Sequence, residues 1–425
     1  MRKKHFLFAS VLALLCGSST LHAQDFKLTS SGYFKNQGVD VMAFDDIYPE
    51  GHQGGVCIIM NGHRVATNGD IRLEATPGQW QPVPKQLDRK LGDNSITATL
   101  CYPDSSRHLT GFNPMIYPDL HLIYTVNVES KGKNIEVTVD LDRPIPQEFI
   151  GKVGFNLEFF PGSLFGKPWI MDGQSGIFPQ QPNSPLMTTQ PNYLHTGNYH
   201  DGKKSLADMD KLIGKGYSPI VADDIISEPY AKGTKFTSRP DDPYNKVTIE
   251  SLSGDLQLFD GRMNHNNGWF VLRSNIKPGV TKGAVKWIIT PNVVADWMYQ
   301  PVIQTSQIGY HPTQDKEAVI EMDIRDNRKE TAQIIRIDAD GEKVVKNVTP
   351  ANWGKFLRYN YLKVNFTDVK EPGLYKIKYN TSVSPIFRID NDVYARGVWQ
   401  PVLEYFLPVQ MCLSLIHISE PTRLR

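Results

Sequence analysis

The stretch Val302–Ile320, VIQTSQIGYHPTQDKEAVI, decides how the chain is read. Val302 to Gln307 is β-branched and extended, Gly309 and Pro312 force a bend, and Glu317 to Met322 returns to period-two alternation. A strand, a turn and a second strand thus open a β-domain. The pattern continues downstream. Ala318, Ile320 and Met322 share one face, Ala332 to Ile337 leads into Asp338-Ala339-Asp340-Gly341, and Leu362, Val364 and Phe366 line another strand. Glu371-Pro372-Gly373 then turns into Tyr375, Ile377 and Tyr379, and Pro385 to Ile389 closes the set. Strands this short and this regular over residues 300–390 make an immunoglobulin-like sandwich without the Cys…Trp…Cys core. Its expected core includes Ile320, Ile337, Val364, Tyr375 and Ile377. Asp340-Gly341 reads as a hairpin turn, because a calcium loop needs further acidic positions and a closing Glu.

Residues 24–299 alternate in the same way. Ile96, Ala98, Leu100 and Tyr102 form one face, Leu122, Tyr124, Val126 and Val128 a second, and Ile135, Val137, Val139 and Leu141 a third. Glu129 to Asn134, with Gly132, is the loop of a hairpin. Helical periodicity is nearly absent, Lys204–Ile213 being the one modest candidate. The class is all-β, with a large N-terminal β-sandwich ahead of the immunoglobulin-like one.

Within the first sandwich, Phe160 to Asn192 is dense in Gly and Pro and reads as a long irregular loop. It carries Phe165, Trp169 and Phe178, with Tyr193 and Tyr199 just beyond. Aromatic faces stack on sugar rings, so Trp169, Phe165 and Phe178 are the candidate carbohydrate contacts. The competing reading makes them hydrophobic pins for the loop. Glu158 and Asp172 could form a glycosidase pair only at a set separation, and Glu158 in FNLEFF reads more simply as a strand residue. His195 and His200 match no metal spacing, His265 sits in an Asn-rich turn, and no metal or cofactor is expected.

The 425 residues suit two to four units at roughly 100–200 each. Lys+Arg is 46 against 45 Asp+Glu, which leaves no basic excess for nucleic acid. Residues 1–23 read as an export signal: Arg2, Lys3 and Lys4, an apolar run from Phe6 to Cys16, then Leu21-His22-Ala23. That run is too short to span a bilayer, and no later segment reaches the roughly 18 apolar residues needed. The expected location is periplasmic or extracellular. An oxidising compartment permits a Cys57–Cys101 disulfide, and two separate buried thiols are the plainer alternative.

Gln304, Ser306, Gln307, Gly309, Tyr310, His311, Pro312 and Ala318-Val319 resemble the opening of the module that precedes the catalytic barrel of glycoside hydrolase family nine. EPGLYKIKY followed by SPIFRIDNDVY resembles that module's last strands. Residues 391–412, NDVYARGVWQPVLEYFLPVQMC, are similar to the start of the family's (α/α)6 barrel. There Val398, Val402, Phe406 and Val409 fall at helical spacing, Pro401 fits a first turn and Pro408 an end. The resemblance implies inverting hydrolysis of β-1,4 bonds in a β-glucan such as cellulose, xyloglucan or mixed-linkage glucan. In the family an aspartate base and a glutamic acid carry that chemistry from within the barrel. They would lie downstream, so no catalytic residue is assigned here. Residues 413–425, LSLIHISEPTRLR, do not continue the helix and resemble a translated sequencing-adaptor tail. The expectation is an inactive N-terminal piece of an exported endoglucanase. The alternative is a glycan-binding or adhesion protein of two β-domains, for which a lone barrel helix has no use.

Overall fold

The computed structural model describes residues 25–45, 47–48, 51–52, 54–74, 76–78, 84–102, 120–182, 186–187, 226–263, 268–395 and 397–407. The expected signal peptide (1–23), the Lys204–Ile213 helix, Tyr193, His195, Tyr199, His200, His265, Cys412 and the tail 413–425 lie outside the described residues. The chain divides into two compact units, Met1–Trp297 and Met298–Arg425. Both are built from antiparallel strands, as the alternation implies.

In the first unit the described strands form two nine-stranded sheets and two short two-stranded ribbons. One runs in space Lys27–Leu28, Phe34–Asn36, Val39–Ala43, Val56–Met60, His63–Leu73, Val153–Phe159, Phe270–Asn275, Leu256–Asp260, Ala231–Gly233. The other runs Gln174–Ile177, Pro168–Met171, Lys235–Ser238, Val247–Ser251, Val285–Pro291, Asn134–Leu141, Ile123–Lys131, Ser95–Cys101, Lys85–Leu91. The three alternating faces read from sequence all turn inward: Ile96, Val126, Val137 and their neighbours are fully buried. They share one core with Ile71, Phe155, Leu157 and Leu272 of the facing sheet. Each such aliphatic side chain contributes about 1.5–3 kcal/mol by leaving water. Phe155 meets Trp287 of the opposite sheet edge-on at 4.9 Å, and the Trp287 indole N–H donates to Ser274 Oγ at 3.0 Å. The Ile123–Asn134 hairpin is tighter than its composition implies. Pairing runs to Lys131↔Asn134, leaving Gly132-Lys133 as a two-residue turn with Gly132 at φ 65°.

The second unit packs the sheet Val302–Gln304, Glu317–Asp323, Tyr359–Asn365, Ala351–Phe356 against Gly341–Val348, Ala332–Asp338, Gly373–Tyr379, Ser382–Val383. Phe387–Ile389 also pairs with Gly373–Tyr379. The loop between the first two strands holds this sandwich shut. Tyr310 is buried there, its ring edge-on to Phe366 at 5.1 Å and Phe387 at 5.3 Å. The Tyr310 hydroxyl accepts the Ser306 amide and donates to the Glu317 carbonyl. Tyr310 N–H donates to Arg388 O, and Asp390 N–H donates to Tyr310 O. Gly309, at φ 95°, runs so close to the Arg388 backbone that a Cβ would sit 2.2 Å from its carbonyl oxygen. Lys316 is fully buried, and its ammonium donates to the carbonyls of Pro312 (2.8 Å) and Gln314 (3.0 Å).

Ile320, Val364, Tyr375 and Ile377 are core residues as expected, but Ile337 is only half-buried. Pairing with Gly373–Tyr379 is unbroken and sets Ile334 beside the core residue Ile377 but Ile337 beside the exposed Leu374, so Ile337 lies on the outer face. At residues 400–407 the chain turns helical. Ile377→Ala should cost about 2–5 kcal/mol in chemical denaturation of residues 300–390. A loss below ~0.5 kcal/mol would mean that Ile377 does not face the core.

Candidate functional site

The three aromatics expected to contact sugar are already occupied, which corrects that expectation. Trp169 lies in the strand Pro168–Met171 and is 6 % exposed. Its ring fills the space left by Gly176 on the paired strand, where a Cβ would sit 2.4 Å from Trp169 Cζ2. Phe178 is fully buried against Phe270 at 4.7 Å. Phe165 is half-buried, with the Arg262 guanidinium 5.1 Å from its ring centre. The same guanidinium lies 4.4 Å from the Phe270 ring, pairs with Asp260, and donates to the carbonyls of Pro179 and Gln180. Arg262 thereby pins the Gly- and Pro-rich segment to the sheet. Part of that segment is regular: Pro168–Met171 and Gln174–Ile177 form a hairpin that extends the second sheet. Trp169→Ala should therefore lower stability by about 3–5 kcal/mol in thermal melts.

Glu158 and Asp172 are each tied into the fold. Asn68 Nδ2 donates to Glu158 Oε2 at 2.6 Å. Asp172, at φ 49° in the hairpin turn, accepts the amides of Thr234 and Lys235. Neither carboxylate is free for a displacement at a glycosidic bond. Cys57 and Cys101 are buried in different sheets, the Cys57 thiol lying 2.8 Å from Gly54 O. Among the described residues no group of three or more His, Cys, Asp or Glu is placed to hold a metal ion.

The densest collection of ionisable groups is one that alternation alone does not reveal. The strand Val153–Phe159 is buried on both faces. Its inner face is apolar, and the other carries Asn156 and Glu158, opposite Asp70 and Thr67 on one side and Arg273 and Val271 on the other. Asp70, Arg72, Glu74, Asn156, Glu158 and Arg273 are all buried. Arg273 reaches Glu74 Oε1 at 3.2 Å and donates to the backbone carbonyls of Glu74 and Lys152. Asn156 Nδ2 donates to Glu74 Oε1 at 2.6 Å, and the Tyr124 hydroxyl donates to Asp70 at 3.0 Å. The sequence signal is DIRLE at 70–74, where charged and apolar residues alternate as though one face met water.

Burial pushes the Glu74 carboxyl up to about 7, against the pull of Arg273 and Arg72. It also lowers the Arg273 pKa. At Arg72, burial opposes the charge, but Glu158, Asp70 and Glu74 outweigh it and raise the pKa. A folded-state pKa above the ordinary 4.5 means that the native protein holds a proton the unfolded chain releases. This contribution is complete below pH 4.5 and is lost as pH rises through about 7. The expected decline is on the order of 3 kcal/mol. Urea midpoints of the wild type should fall across that window, and Glu74→Gln should remove this component. Parallel profiles for the two proteins would mean that Glu74 is ionised throughout.

Residues 298–384 match the protein family described as cellulase N-terminal ig-like domain. Among solved structures, a metagenome-derived glycoside hydrolase family 9 endoglucanase shares 29% identity over 21% of this chain, with a TM-score of 0.19. The matched part spans 18% of that enzyme's length. A heparan sulfate lyase, HepC from Pedobacter heparinus, aligns over 71% of this chain and 41% of its own at 10% identity and a TM-score of 0.25. No curated protein matches the chain. The matched span opens the second unit and contains the Tyr310–Lys316 loop, its buried anchor and its two packed sheets.

Proposed function

We propose that this chain is the N-terminal, non-catalytic portion of an exported endo-β-1,4-glucanase-type glycoside hydrolase that breaks down plant β-glucan. The observation that carries this reading is a cellulase-type immunoglobulin-like domain followed, at residues 400–407, by an apolar helix. Val402, Leu403, Tyr405 and Phe406 of that helix are each more than half exposed. A helix that exposes this many large apolar side chains calls for a partner body, and further barrel helices would supply it. A two-domain adhesin has no such need.

On this reading the hydrolysis is inverting. One carboxylate activates a water and another protonates the leaving oxygen, the two standing about 6.5–9.5 Å apart to admit that water. Glu158 and Asp172 are held by hydrogen bonds within the first sandwich, and the resemblance to family nine implies that both roles belong to barrel residues. Export rests on the charged, apolar and small-residue succession of residues 1–23. The purified 425-residue chain should release no reducing sugar from soluble β-glucan. A protein extended through the genomic reading frame past Cys412 should release it. Activity in the short chain, or an extended frame that encodes no helical barrel, would sink the proposal.

A further inference from the structure

The second unit carries two large aromatic residues, Trp353 and Phe356, outside its core. The strand Ala351–Phe356 is an edge strand, and its pairing with Tyr359–Asn365 slips between Asn352 and Gly354. Ala351 lies opposite Lys363, and after the slip Gly354 lies opposite Tyr361 and Phe356 opposite Tyr359. Without the extra residue, alternation would turn Trp353 outward and Phe356 inward. The bulge instead sends both to the outer face, beside Tyr359 and Tyr361. Trp353 and Phe356 are each 56 % exposed. Leaving two large rings in water opposes folding, and a bulge at a sheet edge commonly re-aims side chains toward a site.

These rings form a continuous track. Centroids are 6.4 Å apart from Phe356 to Trp353, 5.6 Å to Tyr361, 6.2 Å to Tyr359 and 5.0 Å to Tyr299. Polar groups lie between them. Glu321 accepts the hydroxyls of Tyr299 (3.0 Å) and Tyr361 (3.4 Å), so a carboxylate and two phenols stand beside the rings. Lys363 on the same face is neutralised by Glu317 at 2.8 Å.

We propose that this outer face, centred on Trp353, binds a single β-linked neutral glucan chain. A pyranose ring presents apolar C–H faces and an equatorial rim of hydroxyls. The face offers the complement, ring surfaces flanked by a carboxylate and phenols. Trp353 stands at 90° to Tyr361 and 89° to Phe356. Rings so inclined do not make the flat platform that a crystalline cellulose surface requires, but they suit one twisted, soluble chain. The choice of a β-glucan rests on the proposed function; the site itself rests on the geometry of the sheet.

Native affinity electrophoresis of the 425-residue chain in gels containing hydroxyethylcellulose, xyloglucan or mixed-linkage β-glucan tests this, with alginate as an acidic comparison. The wild type should be retarded by at least one neutral β-glucan. Trp353→Ala should weaken that retardation about tenfold, as loss of a central aromatic contact does. Phe356→Ala provides a second, independent reading, and thermal melts confirm that both variants are folded. Retardation by alginate alone, or retardation unchanged in both variants, overturns the proposal. No retardation in any gel overturns it too and assigns the face to a protein contact. In that case the enzyme relationship, which is read by hydrolysis in the extended protein, is untouched.

Discussion

The second unit depends on how one tyrosine and one lysine dispose of the backbone between its first two strands. A turn that enters a sandwich carries carbonyls and amides with no ladder to join, and leaving them unpaired in the interior costs about 1–3 kcal/mol each. The Tyr310 hydroxyl satisfies one amide and one carbonyl, while its own backbone bridges to the last strand. The Lys316 ammonium gathers the carbonyls of Pro312 and Gln314. Burial lowers the Lys316 pKa, and those carbonyl dipoles are what the buried cation has in exchange for water. Gly309 lets the chain approach Arg388 closely enough for the bridge to form. The residues that make this module recognisable are therefore those that close it. They carry no chemistry of their own, which is why a strong resemblance here leaves the reaction to be argued from elsewhere.

The same distinction explains what could be read from the sequence. Period-two alternation exposed the inward faces around Val126, Val137, Ile320 and Val364, because each of those strands is covered by core on one side only. It misplaced Ile337, since Ile334-Ile335-Arg336-Ile337 puts apolar residues on both faces and Ile337 falls on the outer one, opposite Leu374. Trp169 failed for a different reason. Gly and Pro density implied an open loop, but Gly176 is there to make room for the indole, and that pairing exists only once the hairpin has formed. Trp353 and Phe356 were equally invisible. Both lie in ANWGKF, and only the bulge brings Phe356 to the same side as Trp353.

The two sandwiches treat their outer faces in opposite ways. In the first unit the strand Val153–Phe159 is covered on both sides, so residues that would ordinarily meet water have to be satisfied within the protein. Among the described residues, Asp70, Glu74 and Glu158 act on Arg72 and Arg273, and a proton on Glu74 brings those charges into balance. Such a network adds little net stability over an apolar filling, because desolvation consumes most of the attraction. What it adds is direction. Arg273 fits only where Glu74, Asn275 and the Lys152 carbonyl all meet it, so neighbouring strands cannot slip by a residue without stranding a charge. A sheet fixed in this way resists sliding, and its buried carboxylates are structural. In the second unit the outer face links Tyr299 and Tyr361 to Glu321 and leaves Trp353 and Phe356 more than half exposed. Side chains with the composition of an active site are thus buried in the service of register, and the surface suited to recognition is built from residues that look like misplaced core.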